Sequence, residues 1–165
     1  MNEQTGTPGI DILAIRQFLD EGNIEEAYVA LTLPLHEQLY KQQTFDLLDE
    51  LPVGERVALA FDYIRTQVDS GGFIQLIQNG YVSLLLTTIE GLQEMKVAPE
   101  MAIVLDDVLK VYVLNIDTLS KETSVDEFAR LYNEFKEFDV LEERFEQHKQ
   151  QTLLAVIDYC INMNK

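Results

Sequence analysis

The stretch Glu55-Arg56-Val57-Ala58-Leu59-Ala60-Phe61-Asp62-Tyr63-Ile64-Arg65-Thr66-Gln67-Val68-Asp69, followed by Ser70-Gly71-Gly72, decides the fold. Val57, Phe61, Ile64 and Val68 step by four, three and four residues, the repeat of one face of an α-helix. Glu55, Asp62 and Asp69 line another face. Gly71-Gly72 breaks the run, because paired glycines lower helix propensity and admit backbone angles that other residues avoid.

The same periodicity extends in both directions. Toward the N-terminus, Asp11 can cap a helix that reaches Glu21, with Gly22 placed to stop it. Residues 24–33 read as a second, short helix. Pro34 then suits the first turn of a third over 35–51, closed by Pro52 and Gly54. Beyond the glycine pair, residues 73–79 make one or two turns before Gly80. Residues 81–95, almost free of charge, read as a helix at the centre of the fold. Residues 101–119 are rich in Ile, Val and Leu, and their length favours helix over strand. Ser124-Val125-Asp126-Glu127 is a capping box opening a helix with Val125, Phe128, Leu131, Tyr132, Phe135 and Phe138 inward. Asp139-Val140-Leu141-Glu142 repeats that start signal for a last helix to about Asn162.

The expectation is therefore an all-α fold, a single-domain compact bundle of about seven or eight helices over residues 10–165 behind a flexible lead-in at 1–9. A chain of 165 residues that is 47% hydrophobic can bury a sizeable core, and no linker or internal repeat divides it. The single cysteine, Cys160, excludes an internal disulfide and a multi-cysteine zinc site, and suits a reducing compartment. The N-terminal residues carry no basic segment ahead of an apolar run, and polar residues interrupt the neutral stretch after Gly71. A soluble, cytoplasmic protein without a membrane span is expected.

Charge is extreme and uneven. There are 29 acidic against 12 basic side chains, a formal net of −17, yet residues 71–89 carry none. Residues 1–62 alone hold 12 acids and 3 bases. A field of this sign repels nucleic acid and anionic membranes and attracts basic partners, among them proteins that bind DNA.

No catalytic or metal-binding constellation emerges. His148 lies on the helical stripe Leu141, Phe145, His148, Thr152, Val156, Tyr159, and His36 sits near a helix start, so both read as ordinary helix histidines. Cys160 lacks an adjacent base or a helix N-terminus to stabilise a thiolate. Asp106-Asp107 and Glu142-Glu143 are neighbours that point about 100° apart on a helix, and so read as solvated faces. A phosphate cradle at Gly71-Gly72 would lack a basic residue, since none occurs between Arg65 and Lys96. No cofactor and no metal are expected.

The acidic faces carry the sharper hypothesis. Carboxylates four residues apart on a helix lie roughly 6 Å apart, comparable to the charge spacing of a nucleic-acid backbone. Asp46/Glu50, Glu122/Asp126 and Glu142/Glu146 have that spacing, and Glu21/Glu25 flank a turn. The candidate partner-binding residues are Asp20, Glu21, Glu25, Glu26, Asp46, Asp49, Glu50, Asp126, Glu127, Glu142, Glu143 and Glu146.

The segment from Val68 to Gly80, with Gly71-Gly72-Phe73-Ile74-Gln75 at its heart, resembles the Gly-Gly-Phe-x-Gln core of the DNA-mimic protein 19 family of small acidic helical bacterial proteins. The likeness extends to Phe61-Asp62-Tyr63, Leu92-Gln93-Glu94-Met95, Val108-Leu109 and Leu141-Glu142-Glu143-Arg144-Phe145. It departs where the family favours Asn before the glycines and aromatics after the Gln, this chain having Asp69-Ser70 and Leu76-Ile77. Gly71, Gly72, Phe73 and Gln75 then form a structural signature. The resemblance implies a non-enzymatic protein, acting as a homodimer, that occupies the DNA-binding surface of a basic regulator such as a transcription factor or nucleoid protein. The alternative expectation is a helical protein–protein module of the immunity or adaptor kind, acidic without mimicry.

Overall fold

A computed structural model describes residues 7–162. Among them it contains nine helices and no strand: α1 (Ile12–Asp20), α2 (Ile24–Gln42), α3 (Leu47–Glu50), α4 (Val53–Gln78), α5 (Val82–Met95), α6 (Pro99–Leu114), α7 (Ile116–Leu119), α8 (Val125–Glu134) and α9 (Glu137–Asn162). The all-α expectation holds. The excess over seven or eight helices comes partly from α3 and α7, each a single turn of four residues.

α4 is the axis of the molecule. Val57, Ala58, Leu59, Ala60 and Phe61 are all fully buried, so this segment is enclosed on every side, and it packs against α2, α5 and α9. Beyond the glycine break, Phe73 packs on Phe145 with ring centroids 5.6 Å apart, and Phe61 meets the same ring at 5.7 Å. Burying each of these rings contributes about 1.5–3 kcal/mol, and together they bind both halves of α4 to α9. Gly91 of α5 lies where any β-carbon would collide with the Val57 side chain, so a glycine lets α5 approach α4 closely.

Several sequence expectations are corrected. α5 is not the centre: Ser83, Leu86, Glu90 and Gln93 recur at helical spacing and are exposed, while Leu84, Leu85, Thr88 and Leu92 face inward. Absence of charge does not entail burial, because uncharged Ser and Gln are at home in water. Pro34 does not begin a helix but lies inside α2, whose buried Leu31 and Leu35 stand one turn apart on either side of it. Their burial holds the helix together across a residue that disfavours its interior by about 3 kcal/mol. The segment 101–119 is interrupted at Asn115, whose side chain donates to the Val111 carbonyl at 2.9 Å. Val125 is 87% exposed, not inward. α9 begins at Glu137, so Asp139 lies in its first turn instead of preceding it.

Other signals stand as read. Asp11 caps α1 by accepting the Ala14 N–H at 3.1 Å, and Gly22 follows α1 with φ +78°. Ser124 caps α8 as read, accepting the Glu127 N–H at 3.2 Å, and its hydroxyl donates to Glu127 Oε1 at 3.0 Å. Of the lead-in at 1–9, residues 1–6 lie outside the described residues. Residues 7–9 are tied down, because the Thr7 N–H donates to the buried carboxylate of Glu55 at 2.8 Å and Gly9 packs on the Pro34 ring.

Candidate functional site

The glycine break is a built junction. Gly72 takes φ +76° and ψ −175°, angles that only glycine adopts readily, and the helix restarts at Phe73. A restarting helix exposes unpaired N–H groups. The Phe73 N–H is satisfied by Glu142 of α9, whose Oε2 accepts at 3.1 Å. Tyr132 of α8 donates its hydroxyl to the Gly71 carbonyl at 2.6 Å. Gln67 Oε1 accepts from both Gln75, at 3.1 Å, and Asn79, at 2.8 Å, bridging the two halves of α4. Lys149 reaches Asp69 at 3.2 Å and Glu146 at 3.0 Å.

Gly71, Gly72, Phe73 and Gln75 are thus the place where α8 and α9 are clamped to α4. The position a phosphate would take on the Phe73 N–H is filled by the chain's own carboxylate. Burial pushes the Glu142 carboxyl above its ordinary range, the Phe73 N–H pulls it back and the nearby charge of Asp139 raises it, with a net upward shift.

A polar seam joins α2 to α4. Asp62 accepts from His36 Nε2 at 2.5 Å and from Arg65 Nε at 2.7 Å, and the other arm of Arg65 reaches Glu25 at 2.8 Å. The guanidinium also lies 4.9 Å from the centroid of the Tyr28 ring, and the Tyr28 hydroxyl donates to the Ala58 carbonyl at 2.6 Å. Burial alone would raise the Asp62 carboxyl, but the His36 hydrogen bond and the Arg65 charge outweigh it and hold it below its ordinary value. The sequence put Glu55 and Asp62 together on a charged face and gave His36 no role. In the fold Glu55 is 4% exposed and His36 and Asp62 are paired. The Asp62-x-x-Arg65 spacing was a visible signal of a local ion pair; its partners on α2 were not.

The remaining candidates resolve simply. Cys160 is buried, and burial, with the Glu55 charge behind it, pushes its thiol up to about 12. His148 is partly buried on α9. Asp106 pairs with Lys110, and Asp107 with Arg144 at 2.9 Å. Among the described residues, no group of three or more His, Cys, Asp or Glu side chains could hold a metal, and no helix is long and apolar enough to cross a membrane.

Of the twelve candidate carboxylates, Glu142 alone is not exposed; the other eleven are. Asp20, Glu21, Glu25 and Glu26 crowd the turn between α1 and α2. Asp46, Asp49 and Glu50 lie in and beside α3, past the other end of α2. Because α2 has 19 residues, these clusters are separated by roughly 28 Å along its axis. Asp126 and Glu127 occupy the first turn of α8, and Glu143 and Glu146 the early turns of α9. Glu122 precedes the Ser124 cap, so Glu122/Asp126 is not a pair on one helix. Within Glu142/Glu146, Glu142 is engaged by Phe73 and Glu146 by Lys149.

One concavity has no signal in the sequence. A groove of about 630 Å³ opens where α2 ends and the chain turns toward α3, lined by His36, Glu37, Leu39, Tyr40, Lys41, Gln43, Thr44, Phe45 and Tyr63. Tyr63 is held in place, 5.1 Å from His36, 5.4 Å from Phe45 and 5.7 Å from Tyr81. The aromatics come from three separate stretches of sequence, so no local pattern announces them.

A family model described as DMP19-like protein matches residues 49–164, from within α3 to the end of α9. Comparison with curated proteins and with solved structures found no match.

Proposed function

Because this chain belongs to the DMP19-like protein family, we propose that it works without chemistry, as an acidic decoy for the DNA-binding surface of a basic protein. The observation that carries this reading is the partition of its charges. Asp62, Asp69 and Asp107 are matched to Arg or Lys within the fold, whereas Asp20, Glu26, Asp46, Asp49, Glu50, Asp126, Glu127 and Glu143 are exposed with no ion pair among the described residues. Unpaired surface acids confer little stability and repel one another, so such an arrangement fits a role in binding better than a role in folding.

The mechanism is competition. Carboxylates take the place of phosphates against Lys and Arg, and nucleic acid itself is repelled. A transcription factor or nucleoid protein is the fitting class of partner, and a homodimer would double the acidic surface it meets. The test is capture of partners from a lysate at low salt, followed by a DNA-competition assay. Support requires a DNA-binding protein that is released by salt and displaced from DNA by this chain. Recovered partners that bind DNA equally well in its presence would refute the reading.

The groove beside α3 favours a second reading, a helical interaction module that docks a partner through apolar contact. Affinity would then be nearly independent of salt and would survive charge reversal at Asp46, Glu50, Glu143 and Glu146.

A further inference from the structure

We infer that the groove at the end of α2 takes an arginine side chain from a basic polypeptide segment. Its guanidinium would lie against the rings of Tyr40, Phe45 and Tyr63, while neighbouring basic residues of that segment pair with Asp46, Asp49 and Glu50. The inference rests on the acidic-decoy reading and narrows it to one end of the molecule.

Ring faces attract cations, and a planar guanidinium stacks on them where an ammonium does not. Tyr63 is packed against three other rings, so the wall it forms is set before anything binds and little ordering entropy remains to be lost. Tyr40 is 81% exposed and Phe45 38%, an arrangement that leaves aromatic surface unused by the fold. Charge complementarity selects the occupant. Phe45 is followed immediately by Asp46, and α3 adds Asp49 and Glu50, all exposed, while Glu37 lines the groove itself. Against these four carboxylates the groove lining holds Lys41 and His36, and His36 is already paired with Asp62. An uncharged apolar segment would leave them without a counter-charge, and an anionic ligand would be repelled. A basic segment satisfies both the rings and the rim.

The test is fluorescence anisotropy with a labelled, unstructured peptide of alternating Arg and Ser, beside its Lys and citrulline counterparts. The proteins compared are the wild-type chain, the double variant Tyr40→Ala/Phe45→Ala, the α3 variant Asp46→Asn/Asp49→Asn/Glu50→Gln and a control at two exposed α5 acids outside the candidate surface, Glu90→Gln/Glu94→Gln. Both ring positions are exposed enough to be trimmed without unfolding, which circular dichroism checks. Each exposed cation–π contact is worth roughly 0.5–1 kcal/mol, so the double variant should bind the Arg peptide about 5–30-fold more weakly. The loss should be smaller for the Lys peptide, and the α5 control should stay within about twofold.

Arg binding that is unchanged in the double variant but lost in the α3 variant overturns the groove site and leaves the acidic-decoy reading standing. A wild-type chain that binds no basic peptide at low salt sinks that reading itself. A citrulline peptide that binds as tightly as the Arg peptide, and loses affinity in the double variant, would make the groove an apolar docking site and overturn the inference.

Discussion

Glu142 on α9 accepts the backbone N–H of Phe73 at 3.1 Å, and its Oε2 stands 2.5 Å from the point where a β-carbon on Gly72 would have to sit. One carboxylate thus caps the second half of α4 and fills the space that the glycine leaves open. The Gly-Gly-Phe segment and the Leu141–Phe145 segment are two sides of a single contact.

Gly72→Ala should be among the most damaging single changes in the chain. It forces a side chain onto φ +76° and into Glu142, and a loss of about 2–4 kcal/mol is expected in denaturant unfolding. Glu142→Ala leaves the Phe73 N–H unsatisfied and should cost about 1–2 kcal/mol, whereas Glu142→Gln keeps an acceptor and should cost less. The folded-state pKa of Glu142 is raised, so its contribution is fully present below the unfolded value near 4.5 and is lost as pH rises through the folded value. Glu142→Gln should remove that pH-dependent component. A Gln variant with the wild-type pH profile would count against it.

Asp62→Asn should destabilise by roughly 2–4 kcal/mol, because it leaves the Arg65 guanidinium, 8% exposed, with the outlying Glu25 as its remaining carboxylate partner. Glu25→Gln, altering an exposed group, should change stability by less than about 1 kcal/mol. With its pKa lowered from 3.8, Asp62 contributes stability that is present above that value and lost as pH falls through the folded pKa. Acid unfolding of Asp62→Asn, followed by circular dichroism, should therefore show a shallower dependence on pH below about 4 than wild type.

Cys160 should resist thiol reagents in the native protein at neutral pH. Burial pushes its thiol up to about 12, and the thiolate is the reactive species. Labelling with a disulfide reagent should become complete on adding denaturant, and native-state labelling should follow the rate of opening. Fast stoichiometric modification of folded protein would contradict this burial.

Pro34→Ala should stabilise the chain by about 1–3 kcal/mol, since α2 runs through a residue that withholds a backbone N–H and crowds the preceding turn. Loss of the contact between the proline ring and Gly9 sets the lower end of that range. A destabilised variant would mean that this contact outweighs the helix penalty.

The helices themselves were largely legible. Asp11, Gly22, the Ser124 cap and the face Val57-Phe61-Ile64-Val68 are local signals, and the fold honours them. Where reading failed, a tertiary contact outweighed a local preference. Burial of Leu31 and Leu35 carried α2 across Pro34, and the fold left Val125 in solvent although its spacing pointed inward.

The candidate sites divide along the same line. Carboxylate positions were readable, because most acidic side chains stay in water wherever their helix goes. Their engagements were not: Glu55, Asp62 and Glu142 are recruited inward by Thr7, His36 with Arg65, and Phe73, partners up to 69 residues away in the chain.

By itself the sequence determined an all-helical chain, an extreme negative charge and a glycine break in its central helix, since periodicity, composition and backbone freedom are properties of short segments. Tertiary structure alone decided what that break is for and which acids remain free. It also assembled the aromatic groove, whose rings come from α2, the turn before α3 and α4. Those outcomes depend on pairing across segments, where burial and hydrogen-bond satisfaction act between residues that no local pattern connects.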